Sequence, residues 1–417
     1  MKNIFCRLKD WKVTMFKKIL KSFDYSIITV YILLCLFGLV MIYSASMVVA
    51  INYDVKSDFF YVKQLKNLAL AFIAFGFCSF FPYKIYQSNK FLGTIMLLSV
   101  LGLIAIFGFG KIVNNANSWL KVGSSSIQPS EFVKLSVIIY LSAVYSKKQS
   151  YIDNFNKGVV PPLAFLILVC FLILIQPDTG TAAIIFLIGM TVILCSGMKL
   201  KTLMKLVSFG LVIALLLSPI VIIKKDKIFS PTKMGRITGF LDPFDKDVVD
   251  KEGHQLVNSY FAIGAGGIKG QGLGESIEKL GYLPEPHTDF IMAVIAEELG
   301  VFGVAFVIIG LAYIVLRGIY IGVKCKDTFG SLLAIGISSM IAIQTFINLG
   351  GVVGLIPITG VPLPLISYGG SSLLLLSISL GILVNVAMFI KYEEKYKKKK
   401  EKPVAAKSIK YNTFKVH

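Results

Sequence analysis

Ten stretches of this chain each run for about the thickness of a bilayer with few or no charges, and they limit what it can become. They are residues 25–49, 62–81, 91–110, 130–145, 161–175, 180–197, 203–223, 290–316, 329–355 and 371–390. A helix of roughly 20 apolar residues crosses the hydrocarbon core, and there every backbone polar group must be paired within the protein. The fourth to sixth stretches are short enough to tilt or to span only in part. Charged residues make up 16% of the 417 residues, against about 25% in an average soluble chain. The expected fold is therefore an all-α polytopic membrane protein with about ten transmembrane helices. A large extracellular loop separates spans 7 and 8. The organisation read from this is a basic N-terminal segment (1–24), a transmembrane domain (25–390) containing the extracytoplasmic loop 224–289, and a basic tail (391–417).

The formal net charge of +20 invites a nucleic-acid reading, but no RNA- or DNA-binding motif accompanies it. Its lysines and arginines crowd the N-terminal segment, four short connections and the tail, where Lys397, Lys398, Lys399 and Lys400 form a run. With ten spans all six basic segments fall on one side, the cytoplasmic one by the positive-inside rule, so both termini are expected inside. The first apolar stretch lacks a small-residue cleavage site and is expected to stay as a span. The six cysteines, Cys6, Cys35, Cys78, Cys170, Cys195 and Cys325, fit neither a zinc site nor a disulfide frame.

Ionisable groups beside or inside spans are costly and are candidates for function. Asp289 closes the longest polar loop, in Tyr282–Leu283–Pro284–Glu285–Pro286–His287–Thr288–Asp289–Phe290, just before an apolar run. It is expected at the outer surface, after a rigid Pro-Glu-Pro turn, within reach of a substrate headgroup. Glu131 and Lys134 share one helix face at i, i+3. They form either an internal ion pair that pins the helix, or part of a hydrophilic cavity with the lysine available to a phosphate. Asp178, in Gln176–Pro177–Asp178, suits a helix N-cap and could also pair with Lys134. Glu297 and Glu298 read as structural, hydrogen-bonded within the bundle.

The run Gly264–Ala265–Gly266–Gly267–Ile268–Lys269–Gly270–Gln271–Gly272–Leu273–Gly274 lacks P-loop spacing. It is expected to allow close backbone packing, with its N–H groups as alternative donors to a pyrophosphate. The charge-free loop 356–370, with three prolines, reads as a cavity wall and offers Ser367 and Tyr368. Gln255, Ser259, Glu285 and His287 are further cavity candidates. Histidine occurs only at 254, 287 and 417, and no HExxH is present, so a zinc site is not expected. No metal ligand is assigned; a divalent cation (Mg or Mn) held loosely by Asp289 and pyrophosphate oxygens stays open. No transporter-type internal repeat is visible.

These stretches together resemble the SEDS family of bacterial membrane proteins (FtsW, RodA and SpoVE) from about Tyr25 to Ile390. The marks are Tyr43–Ser44–Ala45–Ser46, Gln128–Pro129–Ser130–Glu131, Gln176–Pro177–Asp178, Gly272–Leu273–Gly274–Glu275–Ser276, Leu283 to Phe290 and Ile366 to Ser372. Leu283–Phe290 and Glu297–Glu298–Leu299–Gly300 are closer to the FtsW branch than to the RodA branch. The resemblance implies a peptidoglycan glycosyltransferase that polymerises lipid II at the outer face of the bacterial plasma membrane and releases undecaprenyl diphosphate. It implies septal cell-wall synthesis in cell division, with a class B penicillin-binding protein and other divisome membrane proteins as partners and membrane lipid around the spans. The family's proposed catalytic aspartate maps onto Asp289, to act as general base. Its cavity residues map onto Glu131, Lys134 and Asp178, and a basic loop residue maps more loosely onto Arg236. One departure is Ser118, where relatives often carry a basic residue before the tryptophan matched by Trp119; Lys111 or Lys121 would have to substitute. Two other function classes remain at this point: a lipid II flippase, and a divisome scaffold that activates the penicillin-binding protein.

Overall fold

A computed structural model describes residues 17–113, 116–122, 125–208, 210–211, 231–245, 248–249, 251 and 253–397. Long apolar runs become long helices because an uninterrupted helix satisfies its own backbone. The first helices of the bundle are α1 (Tyr25–Asn52), α2 (Phe59–Phe80), α3 (Asn89–Phe109), α4 (Pro129–Lys147), α5 (Val160–Ile175) and α6 (Thr179–Leu194). A helical stretch at 200–208 follows, and the rest of the seventh expected span lies mostly outside the described residues. The loop after it carries two helices that the sequence reading did not include, α7 (Pro231–Leu241) and α8 (His254–Gly266). The final long helices are α9 (Ile291–Lys324), α10 (Thr328–Val352) and α11 (Gly370–Tyr392).

Six helical stretches among the described residues are long and apolar enough to cross a membrane by length and composition. They cover α1, α3, α5, α9, α10 and α11. Their outward faces carry large apolar side chains such as Leu97, Phe109, Phe171 and Ile309. That pattern suits a hydrocarbon solvent, where helix contacts come from packing and small residues instead of water exclusion. Two compact units can be distinguished, Tyr25–Val386 and a smaller one from the chain ends, Met1–Asp24 with Ala387–His417. Within the smaller unit the buried Asp24 pairs with Lys391 at 3.3 Å.

Two features depart from a plain bundle. Residues 110–127, read from sequence as a loop, form a small antiparallel sheet of β1 (Gly110–Val113), β2 (Ala116–Val122) and β3 (Ser125–Ile127). Its register pairs Lys111 with Trp119 and Leu120 with Ile127. The side chains of Lys111, Ser118 and Lys121 fall outside the described set, and so does any replacement for the missing basic residue.

The second departure lies in α9, expected as one continuous span over 290–316. It breaks at Gly300, whose φ of 59° and ψ of −152° no helix contains. The glycine run causes the break. Gln271 N–H donates to Glu297 O at 2.9 Å, Gly272 N–H to Glu298 O at 2.9 Å, and Val301 N–H to Ile268 O at 3.1 Å. A helix that ends leaves its last carbonyls without partners, and these donors supply them. Gly270, at φ 79°, lies so close to the Glu298 carbonyl that a side chain there would collide with it. Residues 291–299 are thus a separate, almost wholly buried half-helix ahead of the long apolar stretch.

Candidate active site

The half-helix begins two residues after Asp289, and the turn before it is held from two directions. In that turn Glu285 takes a left-handed conformation, φ 53°. Thr288 closes it, its N–H donating to Glu285 O at 3.2 Å and its hydroxyl to Glu285 Oε2 at 3.0 Å. Three successive carbonyls then receive donors from the last third of the chain. Tyr368 N–H donates to His287 O at 2.9 Å, Ser367 Oγ to Thr288 O at 2.5 Å, and Asn348 Nδ2 to Asp289 O at 2.8 Å. Asn348 Nδ2 also donates to Val361 O at 2.8 Å, so one amide ties the turn to the proline-rich loop. Ser367 Oγ in turn accepts from Leu363 N–H at 2.8 Å. The backbone of Asp289 is pinned while its carboxylate stays available.

That carboxylate lines a small cleft with Asn348, Gly351, Thr359, Gly360 and Val361 among its walls. Gly360, at φ 74°, stands closest: a methyl group there would sit 3.5 Å from Asp289 Oδ2. Burial pushes the Asp289 carboxyl up from its ordinary 3.8 to about 7; the Glu285 charge adds to the rise and the Arg236 charge opposes it. A carboxylate with a pKa near neutrality is well matched to proton abstraction at physiological pH. His287 is buried between Phe60 and Tyr368, with ring centroids 4.7 and 5.4 Å away. Burial lowers its pKa to about 4, so it is neutral and brings no positive charge to the site.

Arg236, on α7, is exposed and near enough for its charge to act on Asp289. Ser259, on α8, donates to Val352 O at 2.8 Å and fastens that helix to a wall of the cleft. Gln255 lies one turn earlier on α8, half-buried. Asp178 caps α6, accepting from Thr181 N–H at 3.0 Å, and its other oxygen accepts from Gln128 Nε2 at 3.4 Å. The start of α6 is also close to the cleft, since a side chain at Gly180 would stand 3.1 Å from Thr359 O.

Glu131 and Lys134 take the ion-pair arrangement, 2.7 Å apart with both side chains buried. Glu131 Oε2 has no partner among the described residues. The glycine-run N–H groups of Gly270, Gln271 and Gly272 are all taken up by backbone carbonyls and are not free for a pyrophosphate. Among the described residues no group of three or more His, Cys, Asp or Glu could hold a metal ion. Asn348 escaped the sequence reading, and Gly360 entered it only as part of the cavity wall 356–370. The signal for Asn348 was an amide at i+4 from Gln344 in a span without charges.

The FtsW/RodA/SpoVE cell-cycle protein family matches residues 24–392. A Bacillus subtilis (strain 168) protein named probable peptidoglycan glycosyltransferase FtsW is 57% identical over 402 residues, covering 96% of this chain and 99% of its own. Stage V sporulation protein E of the same organism is 38% identical, covering 88% and 98%. Among solved structures, a chain from a peptidoglycan synthase complex that coordinates polymerization and crosslinking shares the fold, with a TM-score of 0.70 at 22% identity. It covers 88% of this chain and 98% of its own. The crystal structure of Thermus thermophilus RodA shares it too, with a TM-score of 0.59 at 21% identity and coverage of 90% and 98%. By sequence along nearly its whole length and by fold, this chain belongs to the FtsW/RodA/SpoVE family of cell-cycle proteins.

Proposed function

We propose that this chain is a peptidoglycan glycosyltransferase of septal cell-wall synthesis, and that Asp289 is its general base. The substrate is lipid II, the partner a class B penicillin-binding protein, and the setting the plasma membrane with both termini cytoplasmic and other divisome proteins nearby. The reaction joins the 4-hydroxyl of one lipid-linked disaccharide to the anomeric carbon of another. As the new C–O bond forms, Asp289 takes the hydroxyl proton and undecaprenyl pyrophosphate leaves with the electrons of the broken bond. A positioned base contributes roughly 100- to 10,000-fold to such a step.

The observation that carries this reading is a carboxylate of raised pKa at the wall of a cleft, on a backbone fixed by three donors. The leaving pyrophosphate needs positive charge. Arg236 is the cation best disposed for that, because Lys134 is already neutralised by Glu131 and His287 is uncharged. A divalent cation would find the Asp289 carboxylate and that of Glu285, the latter shared with Thr288. Mg²⁺ is commonly held by one or two carboxylates plus substrate phosphates, a pattern these residues fit. When bound it would offset pyrophosphate charge. The cleft is small, and only the reacting edge of a sugar enters it. The lipid tail lies outside it, between helices.

Purified protein in detergent, given lipid II with and without its class B partner, tests the proposal. Glycan polymer that persists when the partner's transpeptidase is inactivated is expected. A flippase has no two sides to work between in detergent and would yield no polymer, nor would a scaffold. Absence of polymer from active, folded protein with its partner would overturn the reading.

A further inference from the structure

The half-helix 291–299 follows Asp289 by two residues and carries two adjacent buried glutamates near its end, Glu297 and Glu298. The turn at 278–280 is fastened to both. Ser276 Oγ donates to Glu297 Oε2 at 2.5 Å, and Ile277 N–H to Glu297 Oε1 at 2.7 Å. Beside it, Lys279 is 5% exposed and reaches Glu298 Oε1 at 2.6 Å, Ser44 Oγ at 2.9 Å and Gly274 O at 2.7 Å. Ser44, on α1, also donates to Glu298 Oε1 at 2.6 Å. All three donors of the ammonium group are used, on three separate segments of the chain.

A buried ion pair is weak evidence of stabilisation, because apolar residues of similar volume often serve stability equally well. What a charged, hydrogen-bonded cluster adds over apolar packing is direction, although Glu298 Oε2 has no partner among the described residues. The lock closes on the half-helix beside the break at Gly300, adding side-chain bonds to the backbone ones that Gln271 and Gly272 make there. Seven residues along the half-helix separate Ile291 from Glu298, about 10.5 Å at 1.5 Å per residue, so the lock at one end and the donors on residues 287–289 at the other together fix the direction of the carboxylate.

We infer that Lys279, Glu298 and Ser44 are positioning residues, a buried lock that sets the direction in which Asp289 meets the acceptor hydroxyl. The inference rests on the glycosyltransferase reading above. A misplacement of about 1 Å can lower a rate by roughly 100-fold, so the lock acts on turnover and leaves substrate capture alone.

The test uses the full chain in detergent with its class B partner, measuring initial polymerisation rates against lipid II concentration together with melting temperature. Lys279→Met should lower kcat between about tenfold and 100-fold while KM stays within about twofold. Lys279→Arg, which keeps the charge, should recover part of that loss. Lys279→Met alone leaves Glu298 buried and unpaired and can misfold, so the double variant Lys279→Met/Glu298→Met decides the matter. It removes both charges and should melt near the wild-type temperature while remaining slow. A double variant with wild-type melting and wild-type kcat would overturn the inference, as would a Lys279→Arg effect confined to KM. Wild-type protein that makes no polymer, or Asp289→Asn protein that makes it at full rate, would count against the glycosyltransferase reading and leave the lock aside.

Discussion

Between about pH 8 and about pH 6 the value of kcat/KM for polymerisation should fall about tenfold, because the proposed base gains a proton over that interval. Asp289 has a pKa pushed up to about 7, chiefly by burial and secondarily by the charge of Glu285, against the opposing charge of Arg236. At that value about nine tenths of the carboxylate is ionised at pH 8 and about one tenth at pH 6. An aspartate at its ordinary 3.8 would remain almost wholly ionised throughout, and the profile would be flat. Two variants give the sign of each influence. Glu285→Gln removes a negative neighbour and should move the acid limb to lower pH; Arg236→Ala removes a positive one and should move it to higher pH. The assay is initial-rate formation of polymer from labelled lipid II by purified protein with its partner, buffered in steps from about pH 5.5 to about pH 8.5. A flat profile, or shifts of the same sign in both variants, would refute the reasoning. Linkage gives an independent check. A carboxyl whose folded pKa is raised favours folding most below its unfolded pKa and loses that contribution as pH rises toward 7. Asp289→Asn should therefore melt at or above the wild-type temperature at neutral pH, with a gain of at most about 4 kcal/mol from a shift of about three units.

Three further substitutions probe the supports. Asn348→Ala withdraws the donor shared by Asp289 O and Val361 O and should lower stability by about 1–3 kcal/mol for each carbonyl left unpaired, read by thermal denaturation alongside a fall in kcat. Gly360→Ala forces a side chain into a left-handed backbone position, at about 1–3 kcal/mol, and sets a methyl against Asp289 Oδ2. A slower rate with a modest drop in melting temperature is expected. Lys134→Met leaves Glu131 buried and unpaired and should cost about 3–5 kcal/mol. The double variant Glu131→Leu/Lys134→Met should regain most of that in the same melting assay.

The helices were legible because hydrocarbon permits little else. The stretch 329–355 became Thr328–Val352, and 371–390 became Gly370–Tyr392. The pairing of Glu131 with Lys134 was written in their i, i+3 spacing. Asp289 stood out as a carboxylate at the edge of a span, where every charge needs a reason. What stayed hidden depended on partners distant in sequence. The break at Gly300 looks like any packing glycine until the backbone of Gln271 and Gly272 is brought against Glu297 and Glu298. Nothing in the sequence singles out Lys279 within the loop 224–289, and only the fold carries it to Glu298 and Ser44. Asn348 sits in an uncharged run where an amide gives little warning of the carbonyls it will hold. The sheet at 110–127 is too short and too polar for alternation to announce it.

The central claim is that one carboxylate, Asp289, takes the proton of the attacking hydroxyl. Its most direct test is the rate at which purified Asp289→Asn protein, folded and bound to its class B partner, polymerises lipid II. The account predicts a loss of about 100- to 10,000-fold with melting temperature and partner binding retained; polymer formation at the wild-type rate would contradict it.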